Sequence, residues 1–408
     1  MAQAAPSCHR IAGGSPSSFP VIVDSPLELE NDTSPVTGKA TSMLWNRRDF
    51  AKLGAMGLAA RYTPTINAQA PAKKTGYAVI GLGRIAGHFM PGALLTTNTQ
   101  ITGLVSGHPD KAQRIAAEYG IAKESIYNYE NFDEIAKNPA IDAVYVALPN
   151  SMHAEYTIRA AKAGKHVLCE KPMATSVAEA ESMIAACKAA NVKLMIAYRC
   201  HYEPTHLKAV KLIRDGALGT VQSIQSSFGF NIAPGEWRIN KKFAGGGPLF
   251  DVGIYSLNAC RYLTGEEPEH ISAYASVIDH DGRFNDVEEN VSWTMRFPSG
   301  VVASCNTTYG AQMDGFFRVY GSKGWLEVDS AFSYDGLRLI GNFSGTKITS
   351  QAWRRTPRTS KLRRNTSRTA CKMAWCQSHR AKRACATCAT SRRSIAPPAS
   401  AFRHVRTQ

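Results

Sequence analysis

Apolar residues settle into a regular rhythm from Tyr77 onward. Tyr77-Ala78-Val79-Ile80 is a short apolar run, and a helical stretch follows it to about residue 95. Further apolar runs cover 101–105, 143–148, 166–168 and 193–197, with helix-like stretches at 133–137, 156–163 and 177–190. Apolar strands alternating with helices predict a parallel sheet covered on both faces. After Pro204 the pattern changes. One helix, 205–215, precedes runs rich in β-branched and aromatic residues at 221–228, 271–277, 291–297, 301–308, 316–320 and 325–328. Turns such as Pro298-Ser299-Gly300 and Gly321-Ser322-Lys323-Gly324 join some of them. This predicts a second domain, of α+β type, with mostly antiparallel strands. Gly245-Gly246-Gly247-Pro248 opens one helix inside it, and Asp251 and Tyr255 fall one turn apart on that helix, facing the same way.

The net charge of +16 suggests a polyanion partner until it is located. Residues 351–408 hold 15 Lys and Arg and no acid, which leaves 33 basic and 32 acidic residues, a net of +1, for the rest. The body is neutral, so its charge gives no reason to expect nucleic-acid binding. No apolar run approaches the roughly 18 residues that span a bilayer, so no membrane partner is expected. Four of the ten cysteines lie in the basic tail and the others show no paired spacing, so no disulfide framework is expected.

Three stretches carry candidate chemistry. Gly81-Leu82-Gly83-Arg84-Ile85-Ala86 is a Gly-x-Gly-x-x-Ala loop, which brings backbone N–H groups to a pyrophosphate at a helix N-terminus. A glycine loop alone is weak; this one has the required strand before it and helix after it. The next strand ends in Ser106-Gly107-His108-Pro109-Asp110-Lys111, with no acid at the strand end to grip ribose hydroxyls. The Ser106 hydroxyl and the Lys111 cation suit a 2′-phosphate, hence NADP. Asp110 belongs to the first turn of the next helix, where an acid is ordinary. Third, His166-Val167-Leu168-Cys169-Glu170-Lys171-Pro172 ends an apolar strand at the sheet edge that faces ligand. A lysine there reaches a substrate, and the proline fixes the turn that aims it. Alone, Glu-Lys-Pro is equally an ordinary solvated turn.

Together with Leu148-Pro149-Asn150-Ser151, Tyr198-Arg199-Cys200-His201-Tyr202 and Asp251-Val252-Gly253-Ile254-Tyr255, these motifs resemble the glucose–fructose oxidoreductase, inositol dehydrogenase and rhizopine-catabolism family. The likeness covers about residues 76–340. Tyrosine at 255, where many relatives carry histidine, is the glucose–fructose type. The resemblance implies an N-terminal Rossmann dinucleotide-binding domain and a C-terminal α+β domain on an open, mostly antiparallel sheet, with the active site between them. It implies that Lys171, Asp251 and Tyr255 are catalytic, with Arg199 and Tyr202 close by. The expected cofactor, from Ser106 and Lys111, is NADP, and no metal is expected. The cofactor would meet Gly81, Gly83, Arg84, Ile85, Ser106, Lys111, Leu148, Asn150, His153, Glu170, Lys171, Arg199, Trp237 and Arg238. The small-molecule partner would be a sugar, and copies of the chain would assemble through the C-terminal sheet.

The chemistry needs these residue types. Oxidising an aldose at its anomeric carbon moves a hydride to the nicotinamide and a proton to a base. A free phenol titrates near 10 and is a poor base at pH 7. A neighbouring lysine cation stabilises the phenolate. Asp251 can accept a sugar hydroxyl and orient the ring. Singly, Tyr255 reads as a core aromatic and Asp251 as a helix-start acid. The expected function is an NADP-dependent aldose oxidoreductase, with the cofactor held tightly and a second sugar as oxidant. The alternatives are a simple aldose dehydrogenase that releases NADPH, and a non-catalytic sugar- or nucleotide-sensing relative.

Four segments are expected: a leader and signal (1–70), the nucleotide domain (71–200), the substrate and oligomerisation domain (201–350) and a tail (351–408). Residues 1–42 are rich in Ser, Pro and Gly and read as disordered, with Met43 the expected start. Asn46-Arg47-Arg48-Asp49-Phe50, a mild apolar run 53–60 and Ala68-Gln69-Ala70 resemble a twin-arginine export signal. That points to the periplasm; a short amphipathic helix on a flexible leader would leave the protein in the cytoplasm. In the tail, Cys371, Cys376, His379, Cys385 and Cys388 have the types of zinc ligands, and the charge suggests a nucleic-acid arm. A third reading is preferred. Read from the third base of each codon, the degenerate codons of 365–399 permit acid-containing helices like those that close the family fold. A frameshift between about 345 and 365, and a disordered tail, are expected.

Overall fold

A computed structural model describes residues 73–343 and 345–350. The expected leader, export signal and frameshifted tail lie outside the described residues. The chain enters at β1 (Thr75–Ile80) and alternates through α1 (Ala86–Ala93), β2 (Thr99–Val105), α2 (Pro109–Tyr119), β3 (Ile126–Tyr127), β4 (Ala143–Val146), α3 (His153–Lys162), β5 (His166–Cys169), α4 (Val177–Ala189) and β6 (Leu194–Ile196). The strands form a six-stranded parallel sheet in the order β3-β2-β1-β4-β5-β6. Its two cores follow the two-residue period of a strand. Ala78, Ile80, Val144, Val146, Val167 and Cys169 pack on one face. Val79, Tyr145 and Leu168 pack on the other. The continuous apolar runs have this cause.

From α5 (Pro204–Arg214) the chain passes into β7 (Val221–Gly229), α6 (Lys241–Ala244) and α7 (Ile254–Thr264). It then runs through β8 (His270–Ser276), β9 (Asn290–Arg296), β10 (Val302–Thr308), β11 (Met313–Gly321), β12 (Gly324–Asp329), β13 (Arg338–Phe343) and β14 (Thr346–Thr349). Among the described residues these eight strands make a second sheet, β14-β13-β12-β11-β7-β10-β9-β8. All neighbours in it are antiparallel except β7 and β10. β9 alternates strictly: Val291, Trp293 and Met295 are buried while Ser292, Thr294 and Arg296 are exposed. Among the described residues one face carries the helices, which fits the open sheet expected.

Four elements differ from the sequence expectation. β3 is two residues long, and β13 contains Gly341 and Asn342, so neither gives an apolar run. α3 begins at His153, three residues before its apolar period is visible. Asp251 does not lie on a regular helix with Tyr255. It sits in a π-turn, Leu249–Gly253, that runs into α7. Such turns recur at functional sites, and this one still presents Asp251 and Tyr255 to one cleft.

Two devices hold the second domain to its helices. Glu203 caps α5 by accepting the His206 N–H at 2.8 Å. The buried His206 ring joins α5 to α7 through the Tyr262 hydroxyl (2.6 Å) and to the loop after β12 through the Ala331 carbonyl (2.8 Å).

Candidate active site

A cavity of about 750 Å³ opens where the carboxyl ends of β1, β2, β4 and β5 face the second sheet. Its floor is the glycine loop. Gly81 has φ +83°, and a Cβ there would stand 2.6 Å from the Ala147 carbonyl oxygen, so only glycine fits. Gly83 is glycine for another reason. A Cβ on it would meet no protein atom within 4 Å, so the space above it is open. The chain thus leaves space above a loop of N–H groups, beside Lys111, and this fits a dinucleotide pyrophosphate.

Gly81, Gly83, Arg84, Ile85, Ser106, Lys111, Leu148, Asn150, Glu170, Lys171, Arg199, Trp237, Arg238, Asp251 and Tyr255 all line this cavity. His153 does not. It is buried, with Nδ1 2.8 Å from the Pro172 carbonyl oxygen and Nε2 2.9 Å from that of Leu148. It ties together the two loops beside the cleft and is not among the residues that line the cavity. Tyr202 also lies off the cavity and packs against the nucleotide-domain core. Some of the lining residues also join the two domains. Asn150 donates to the Ala244 carbonyl at 2.9 Å. Arg84, in the glycine loop, pairs with Glu236 at 2.7 Å across the mouth.

The reactive end is organised by charge. Lys171, before a cis Pro172, donates from Nζ to the Asp251 carbonyl (2.6 Å) and carboxylate (3.0 Å). The other Asp251 oxygen accepts from Arg238 Nε at 3.0 Å and from the Tyr309 hydroxyl at 2.8 Å. Burial opposes the Asp251 charge, but Lys171 and Arg238 outweigh it and hold the carboxyl at about 2. Burial likewise opposes the Lys171 charge, and Asp251 and Tyr255 more than offset it, so the ammonium lies above its ordinary range. Lys171 Nζ is 4.8 Å from the centre of the Tyr255 ring, and Arg199 Cζ is 5.4 Å from it. Glu170, raised by burial, accepts from the Tyr145 hydroxyl at 2.5 Å and from the Lys171 N–H at 3.2 Å.

Two expectations need adjustment here. Asp251 is already engaged by three donors, so it organises cations rather than lying open to a sugar hydroxyl. Arg238 reaches Asp251 as well as the cavity. The sequence reading also missed Tyr309, Glu236, His88 and Tyr334. Tyr309 follows the end of β10 and Tyr334 lies in the loop between β12 and β13, with no motif beside either to mark it.

The sequence profile described as "Oxidoreductase family, NAD-binding Rossmann fold" matches residues 75–198, and that of the "GFO/IDH/MocA C-terminal domain" matches 206–327. D-xylose 1-dehydrogenase [NADP(+)] of Haloarcula marismortui is 33% identical over 67% of this chain and 77% of its own length. The crystal structure of aldose–aldose oxidoreductase from Caulobacter crescentus, complexed with glycerol, is 40% identical. It superposes with a TM-score of 0.72 over 79% of this chain and 97% of that one. The 3-ketoreductase KijD10 from Actinomadura kijaniata, 22% identical with a TM-score of 0.68 over 79% of this chain and 97% of that one, shares the fold.

Proposed function

This chain belongs to the GFO/IDH/MocA oxidoreductase family, and from that premise we propose that it is an NADP-dependent oxidoreductase acting at the anomeric carbon of an aldose. The observation that carries the reading is Tyr255 set between two cations, Lys171 and Arg199, at the ligand edge of a nucleotide cleft. The names of the relatives, an NADP-linked xylose dehydrogenase and an aldose–aldose oxidoreductase, support the substrate class.

A bound nicotinamide supplies the hydride acceptor. Gly81, Gly83, Ser106, Lys111, Trp237 and Glu170 would hold the nucleotide. The base is found by elimination. Lys171 is kept charged by Asp251 and has no free lone pair. Asp251, held at about 2 by Lys171 and Arg238, is too weak a base. Both Glu170 oxygens are engaged. Tyr334, pushed by burial up to about 12, is less ionised at neutral pH than an ordinary phenol. Tyr255 remains, with the Lys171 and Arg199 cations beside its ring, to take the proton of the anomeric hydroxyl. The sugar leaves as a lactone.

Arg84–Glu236, which spans the cleft mouth, favours retention of the nucleotide between half-reactions with two sugars over its release as NADPH. The test is spectroscopic. The purified protein should carry a nucleotide whose absorbance changes with one sugar and reverts with another. Turnover only with added NADP would replace this by the simple dehydrogenase, and nucleotide binding without turnover by a sensor. Glu236→Gln should speed nucleotide release several-fold; an unchanged release rate would remove the latch from the account.

A further inference from the structure

Tyr334 lies in the loop between β12 and β13, beyond the family-matched segment ending at residue 327. Two groups pack against its ring, which stays 39% exposed. The His88 ring of α1 stacks on one aromatic face, 4.2 Å away and within 6° of parallel. The Arg199 guanidinium also packs against the ring, 4.2 Å from its centre. Arg199 continues the column to Tyr255 at 5.4 Å. It also fixes the loop backbone, donating to the Ser333 carbonyl at 2.9 Å and to that of Phe332. Tyr334 therefore spans from the nucleotide domain to the catalytic tyrosine, in a pose set by its neighbours. It lines the cavity with Glu170, Lys171 and Tyr255. With His88 and Arg199 packed on the ring, its hydroxyl is the polar group it brings to the cavity.

We infer that Tyr334 is a specificity-determining residue: its hydroxyl closes the sugar end of the cleft and hydrogen-bonds a sugar hydroxyl other than the anomeric one. The ligand class is an aldose, so the inference rests on the functional reading above. Burial that holds this phenol at about 12 keeps it a neutral donor at every working pH. A hydroxyl that must be matched by a substrate hydroxyl discriminates against sugars lacking it.

The test is a cycle between protein and sugar. Wild type and Tyr334→Phe, which removes one hydroxyl and keeps the ring stack, are assayed with one good aldose and its monodeoxy analogues. Nucleotide affinity and aldose binding to the loaded protein are measured beside turnover. Tyr334→Phe should raise KM about 10-fold, the scale of one hydrogen bond, with kcat and nucleotide affinity within about 2-fold. One deoxy sugar should be as poor for wild type as for the variant, so the two losses do not add. His88→Ala, which frees the ring, should raise KM in the same direction. An unchanged KM in Tyr334→Phe, or a loss that adds fully to every deoxygenation, overturns the inference while leaving the aldose reading intact. A wild type that neither turns over nor binds any aldose overturns both.

Discussion

Lys171, Asp251 and Tyr255 act as one electrostatic unit, and each has a distinct failure. Tyr255→Phe removes only a hydroxyl and Lys171→Met keeps the stem while losing the charge. Each should lower kcat by about 10²-fold or more, with nucleotide affinity for Tyr255→Phe unchanged by titration. Near-normal turnover in Tyr255→Phe would place the base elsewhere. Asp251→Asn removes the counter-charge of two partly buried cations, Lys171 and Arg238. Stranding buried charge costs about 3 kcal/mol. Tyr309→Phe leaves the charges paired and should cost about 1 kcal/mol. Denaturant midpoints for the two variants should therefore fall in that order, and an equal loss would refute the hub reading of Asp251. None of these contacts follows from type or spacing alone. Lys171 and Asp251 are 80 residues apart and Tyr309 a further 58 along the chain, so only the docking of two domains brings them together.

At the scale of elements, α5 is fastened by a titratable pin. Burial holds His206 neutral, lowering it to about 3 from an ordinary 6.5. The unfolded chain takes up the proton below about 6.5 and the folded chain does not until about 3. Stability therefore falls as pH drops through that window, by about 2 kcal/mol at pH 5 from this group alone. His206→Gln should be less stable at pH 7 and show a shallower loss between pH 7 and 5. Parallel pH profiles for the two forms, by chemical denaturation, would contradict this. Most elements were legible: the long strands carry the two-residue period, and Pro204 marks the change of domain. The π-turn was not, because a turn widened by one residue leaves the same apolar positions as an α-turn and differs only in which carbonyl each N–H reaches.

Taken whole, the molecule places its nucleotide cleft between a parallel sheet and an open one, so ligand binding bridges both. NADP should raise the melting temperature more than NAD at equal concentration. The gain is about 2.7 kcal/mol at a hundredfold excess over Kd. Lys111→Ala should narrow the gap between the two cofactors, since its cation is the feature that suits a 2′-phosphate. Equal shifts in the wild type would remove the NADP preference. The chain by itself determined the two sheets, the glycine loop, the acid-free end of β2 and the sheet edge that presents Lys171. These depend on local period, turn chemistry and strand direction, which adjacent residues encode. The tertiary structure decided which side chains meet: that His153 braces loops, that Asp251 gathers cations, and that Tyr334 lies between His88 and Arg199. Those contacts join residues separated by tens to hundreds of positions, and their geometry comes from packing two domains together, which no local pattern records.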